Sequence, residues 1–208
     1  KNADQSDATQ ATMAGPYGIA VDKVGNVAVS DGPHHRVLVF PRPSGGDFTN
    51  TQAASSVIGQ PDFSSTSPGN GATNLNLPSG VAIDASDRLY VADTGNNRVQ
   101  IFSIGNPTAT LSISAKSPYD VAVGATTGEI WVTDFTSVNI GGGQSVAGRV
   151  VRYPAYDQLA LNPGQALSVL PEPTPFAVKL DPFDNPIIAD AFNRIVFFFP
   201  AAIYKNSA

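Results

Sequence analysis

An all-β chain folded as a β-propeller is predicted by three observations. One pattern of short apolar runs recurs four times along the 208 residues. Val, Ile, Phe and Tyr crowd those runs while Leu is sparse there, which favours pleated sheet over helix. The 19 glycines and 17 prolines make about 17% of the chain, against a usual share of roughly 12%, so turns are frequent enough to separate many short strands.

The first run of each unit is PYGIAVD (16–22), PSGVAID (78–84), PYDVAVG (118–124) or PFAVKLD (175–181). These runs are small and almost continuously apolar, which suits a strand crowded near a central axis. A tight polar turn follows, DKVGN, DASD or GATTGE, with Asp, Gly and Asn where a reversal needs them. The second run ends in Asp: NVAVSD (26–31), RLYVAD (88–93), EIWVTD (129–134) and PIIAD (186–190). The third starts at Arg: RVLVF (36–40), RVQIF (98–102), RVVRY (149–153) and RIVFFF (194–199). A weaker fourth run appears three times: SSVIG (55–59), ATLSIS (109–114) and QALSVL (165–170). No segment sustains a 3.6-residue period, so almost no helix is expected.

The opening prolines, Pro16, Pro78, Pro118 and Pro175, set a shortest repeat of about 40 residues, the size of a four-stranded blade. A lone blade cannot bury its two faces, and radial stacking does so. Two insertions, 61–77 and 135–148, read as exposed loops because the repeat resumes in phase after each. The whole of 1–208 therefore reads as one propeller domain or fragment, with units near 16–59, 78–114, 118–170 and 175–202.

Composition excludes some partners. The net charge is −5, the pI is about 4.8, and the 12 Lys and Arg are scattered. A nucleic-acid surface needs a basic patch to neutralise phosphates, so no nucleic acid is expected. No apolar run approaches the roughly 18 residues that span a bilayer, so no membrane insertion is expected. Cysteine is absent, which removes disulfides and thiolate metal sites.

The second unit, PSGVAIDASDRLYVADTGNNRVQIF, resembles the NHL repeat, and the first, PYGIAVDKVGNVAVSDGPHHRVLVF, is nearly as similar. The third departs most, with Gly124 in place of the strand-ending Asp and an expanded turn between Asp134 and Arg149. The fourth keeps Asp190, Asn193 and Arg194 in a turn one residue shorter. The stretch VIGQPDFSSTSPGNGATNLNLPSGVAID resembles extended units of large secreted bacterial proteins with NHL repeats. That resemblance implies a secreted, extracellular or periplasmic protein and rings of about six blades, of which four are legible here. The chain accordingly reads as part of a ring, open to self-association through uncovered blade edges.

Asp31, Asp93, Asp134 and Asp190 hold one position of the repeat, and Arg36, Arg98, Arg149 and Arg194 another. Catalytic groups have different jobs, so an identical pair in every unit points to a structural corner. There the carboxylate accepts turn N–H groups, while the Arg fork bonds turn carbonyls or the Asp. Asn97 and Asn193, before the Arg, suit a left-handed conformation. The rival expectation is a ring of carboxylates holding calcium at the channel mouth. No metal ligand set emerges otherwise, because the two histidines, His34 and His35, are adjacent and diverge in an extended turn. The resemblance implies that lyases of this fold need several histidines from different blades, and propeller lactonases a Glu, Asn and Asp set. No such set can be picked out here, and neither a G-x-S-x-G elbow nor H-E-x-x-H is present.

What remains is the loop face. It would carry His34, His35, Asn96, Phe135 and Phe192 as binding candidates. Tyr17, Tyr119 and Phe176 share one repeat position and are expected to pack between blades. The expected function is a non-catalytic binding or scaffold module for a protein, peptide or glycan, without a cofactor. The alternative is a metal-dependent lactonase or lyase at the channel mouth.

Overall fold

Short apolar runs broken by tight turns pair with their sequence neighbours, and the result is four antiparallel blades. The computed structural model describes residues 7–135, 138–172, 174–190, 193 and 195–198. Blade 1 comprises β1 (Pro16–Val21), β2 (Val27–Asp31), β3 (Arg36–Phe40) and β4 (Ser56–Ile58). Blade 2 comprises β5 (Pro78–Ile83), β6 (Arg88–Asp93), β7 (Arg98–Ser103) and β8 (Leu111–Ser114). Blade 3 starts with β9 (Val121–Val123) and β10 (Ile130–Asp134). Its expanded turn holds a ribbon of β11 (Val138–Gly141) and β12 (Gln144–Val146), and the blade resumes with β13 (Gly148–Tyr153) and β14 (Ser168–Glu172). Blade 4 shows three strands among the described residues, β15 (Pro175–Leu180), β16 (Pro186–Asp190) and β17 (Ile195–Phe198).

One insertion differs from the exposed loop expected of it, while 61–77 is a mostly exposed loop anchored at Leu75. Residues 138–146 form a hairpin because two polar and β-branched runs flank Gly142 and Gly143, whose positive φ closes the turn. Segment 61–77 is strapped down rather than loose, since Leu75 is fully buried in the core between blades 1 and 2. One short helix, α1 (Tyr156–Leu161), bridges β13 and β14 and buries Leu159 beside blades 2 and 3.

Three apolar clusters lie between successive blades. Val39, Ile58, Leu89 and Phe102 join blade 1 to blade 2. Tyr90, Ile101, Ile130 and Val151 join blade 2 to blade 3. Trp131, Val150, Val178 and Ile188 join blade 3 to blade 4. Each strand alternates sides with a period of two, so blades 2 and 3 each feed two of these cores.

The turn between first and second strands follows one design. Asp22 accepts the N–H groups of Val24 and Asn26 at 3.0 and 2.8 Å, and Asp181 does the same for Phe183 and Asn185. A left-handed residue closes this turn in every blade, one or two positions before the second strand: Gly25, Asp87, Gly128 and Asp184. Blade 3 lacks the Asp at this turn, and blade 4 supplies it. The buried Asp184 carboxylate accepts N–H bonds from Ala125, Thr126 and Thr127 at 2.9, 3.0 and 2.7 Å. A Cβ on Gly124 would come within 2.7 Å of that carboxylate, so the missing Asp and the borrowed one depend on each other.

Asp184→Ala strips three backbone N–H groups of the blade 3 turn of their buried acceptor. Equilibrium urea unfolding is expected to show a loss of about 1–3 kcal/mol. A loss below about 0.5 kcal/mol would show that water replaces the carboxylate without cost.

Candidate functional site

The corner face is organised by the repeated acids. Asp31 Oδ1 accepts the backbone N–H groups of Ala14 and Gly15, just before β1. Asp93 Oδ1 accepts that of Asn76 at 2.7 Å, before β5, and Asp134 Oδ2 that of Lys116 at 3.0 Å, ahead of β9. Asp190 takes the Thr174 hydroxyl, before β15, at 2.6 Å. Each acid thus ties the lead-in of its own first strand to the end of its second.

The arginines complete the corner. Arg36 Nε lies 3.0 Å from Asp31 and Arg98 Nε 2.7 Å from Asp93, while Arg149 reaches Asp134 through Nη2 at 3.2 Å. Their outer nitrogens hold backbone carbonyls. Arg36 donates to Phe63 and Thr12, and Arg98 to Asn70, Gly71 and Asn74. This is what straps the 61–77 segment over blades 1 and 2. Arg194 and Phe192 lie outside the described residues.

Other binding candidates are used inside the corners. His34 is buried, and its Nδ1 must carry the hydrogen donated to the Asp31 carboxylate at 2.7 Å. Asn96 occupies the equivalent place and donates to Asp93 at 2.9 Å. His35 and Asn97 are both left-handed, with φ 54° and 55°. His35 Nδ1 accepts the Leu77 N–H, and burial followed by the His34 charge hold its pKa below the usual histidine range. Asn193 donates to Asp190 from both its backbone and its side chain. It therefore does the work of Asn96 rather than Asn97, because its turn is one residue shorter.

Strands β1, β5 and β15 and the lead-in to β9 line a cleft of about 370 Å³ at the axis, walled by residues that include Tyr17, Ser79, Tyr119, Asp120, Phe176 and Lys179. Gly18 and Gly80 sit where adjacent first strands nearly touch: a Cβ on Gly18 would lie 2.6 Å from the Ser79 carbonyl, and one on Gly80 2.6 Å from the Asp120 Cα. Polar bonds link the strands in sequence. Ser30 donates to the Ser79 carbonyl, Ser79 to the Tyr119 carbonyl at 2.7 Å, and Asp120 accepts the Val178 N–H at 3.1 Å. A second hollow, of about 500 Å³, lies over Thr9, Gln10 and Phe63, away from the axis and lined by loop residues.

Two residues break the repeat at this axis. Asp120 stands where the other blades carry Gly18, Gly80 and Ala177, and Lys179 where they carry Ala20, Ala82 and Ala122. They form an ion pair at 3.1 Å, with the Asp120 side chain 11% and the Lys179 side chain 66% exposed. Burial raises the Asp120 carboxyl above its ordinary range, while Lys179 opposes the shift. Beside them Tyr119, Phe135 and Phe176 form an edge-to-face cluster, with centroids 4.7 Å apart for Tyr119–Phe176 and 5.5 Å for Phe135–Phe176. Tyr119 and Phe176 thus pack at the junction of blades 3 and 4, as their repeat position suggests, and Phe135 packs with them. Tyr17 instead remains 63% exposed at the cleft wall. Among the described residues no group of three or more His, Asp or Glu side chains is placed to hold a metal ion.

Comparisons with known proteins follow the same lines. The NHL repeat model matches residues 75–102, which include all of β5 and β6 and most of β7. No curated protein matches. Among solved structures, one described as "Streptogramin B lyase structure" superposes with a TM-score of 0.53 at 12% identity. The match covers 89% of this chain and 54% of the other, so this chain spans about half of that one's length. At such identity the likeness concerns the fold alone.

One buried acid near the corner of blade 4 gives a pH test. Burial, then the Asp190 charge, push the Glu172 carboxyl from 4.5 up to about 7. An acid with a raised folded pKa stabilises the fold fully at low pH, and that contribution disappears as pH rises from about 4.5 to about 7. The stability advantage of wild type over Glu172→Gln, measured by urea unfolding, should fall across this window and stay level above it. A difference independent of pH would remove Glu172 as the responsible group.

Proposed function

We propose that this propeller, one blade of which carries an NHL repeat, is a non-catalytic binding module that takes a protein, peptide or glycan segment into the axial cleft. The observation that carries this reading is the Asp120–Lys179 pair, placed at two repeat positions where every other blade has Gly or Ala. A fold built from equal units needs no ion pair at one place on its axis, so the exception is a candidate for recognition. Beyond the hydrogen it gives to Asp120, the exposed Lys179 ammonium has donors for a carboxylate, carbonyl or hydroxyl oxygen. Tyr17, Tyr119 and Phe176 supply flat amphipathic walls of the kind that anchor peptide side chains or sugar rings.

A second reading places lactone hydrolysis or lyase chemistry in the same cleft. It is favoured by one feature, a carboxyl at Asp120 whose pKa burial raises above the ordinary carboxylate range, against the opposing charge of Lys179.

Screening peptide and glycan arrays, with titration calorimetry on the hits, separates the two. Lys179→Ala should weaken a true ligand by tenfold or more, about 1.4 kcal/mol, measured well below the variant's own unfolding midpoint because the change also leaves the Asp120 carboxyl without its ion-pair partner. Equal binding by that variant and wild type would remove the cleft as the site. Turnover of an ester or lactone that Asp120→Asn abolishes would favour the catalytic reading.

A further inference from the structure

Among the described residues, blades 1 and 4 each keep one sheet face clear of the other blades. On blade 1 the face turned away from blade 2 carries Ile19 opposite Val29, and Val27 opposite Phe40. Ile19 is 66% exposed, and Val21, next on that face, is 58% exposed. Sixty-two residues later in the sequence the same repeat positions hold Val81, Leu89, Val91 and Phe102. All four of those are buried in the core between blades 1 and 2. The open positions on blade 1 are therefore the ones that blade 2 uses to receive its neighbour. Leu38, farther from the axis, is already buried, so the open part is β1 and β2.

Blade 4 carries the opposite half of such a joint. Its outer face presents Lys179 opposite Ile187 and Ala189 opposite Val196, with Val196 52% exposed. By strand register these are the places of Ala82, Tyr90, Ala92 and Val99 in blade 2. There Tyr90 and Val99 are fully buried against blade 3. One chain thus displays both a receiving and a delivering blade face, each made of the positions that bury apolar surface at the internal joints.

We propose that a second copy of this chain seats its blade 4 face on the blade 1 face, extending the internal blade-to-blade joint across two molecules. The contact is head-to-tail, because different surfaces meet. Two copies joined at both ends would make a ring of eight blades, within the span of about four to eight that propellers adopt. The joint shares Ile19 and Lys179 with the cleft wall, so its test reads association of the chain and not ligand binding.

Sedimentation velocity on the 208-residue chain over a hundredfold concentration range tests it, with Ile19→Lys and Val196→Lys as single variants. Wild type is expected to sediment as a dimer or larger, and each variant to need at least ten times more protein to associate. An equimolar mixture of the two variants retains one intact face of each kind and should recover a 1:1 complex. That recovery separates a head-to-tail joint from simple misfolding of the variants. A wild-type monomer at every concentration, variants that associate as wild type does, or a mixture that stays monomeric would each overturn the proposal.

Discussion

A carboxylate buried at the end of the second strand is the constraint on which every blade depends. Asp31, Asp93, Asp134 and Asp190 are all buried, and an isolated charge in that setting costs several kcal/mol. The cost is avoided only if donors are already in position. The nearest donors are the N–H groups or hydroxyl of the segment leading into the first strand, and in blades 1 to 3 the guanidinium that opens the third. Satisfying the carboxylate therefore fixes three parts of a blade at once. It also aims the first strand at the axis, where Gly18 and Gly80 let neighbouring strands approach almost to backbone contact.

Because the corner serves every blade alike, it leaves no unique place for chemistry. Uniqueness appears where one blade borrows from another. Asp184 of blade 4 fills the turn of blade 3, and Lys179 of blade 4 meets Asp120 of blade 3. The first exchange is closed off, with its carboxylate spent on three backbone donors. The second leaves an ammonium exposed in a cleft walled by aromatic rings. That difference separates a structural exception from a candidate site.

Much of the fold is legible in the sequence because strand runs, turn acids and left-handed positions are local. Asp22 and Asn97 announce their backbone geometry through their side chains, and Gly25 through the absence of one. The strap across residues 61–77 is not legible, because its carbonyls are acceptors that every residue possesses, and only the positions of Arg36 and Arg98 select them. His34 reads as part of an exposed turn and is buried; its alignment with Asn96 was the available signal. Asp120 and Lys179 are 59 residues apart in the chain and each looks like a tolerated departure from the repeat. Superposing the four units and asking which axial positions carry a charge would have singled them out.

The buried acid, held by its lead-in N–H and its Arg, carries the blade. The unfolding free energy of Asp93→Asn tests it most directly, since this change keeps the shape and removes the charge beside Arg98. A loss of about 3–5 kcal/mol is predicted, the usual cost of breaking a buried pair. A loss under about 1 kcal/mol, with the fold intact, would show that the corner is incidental and that the apolar cores between blades hold the propeller unaided.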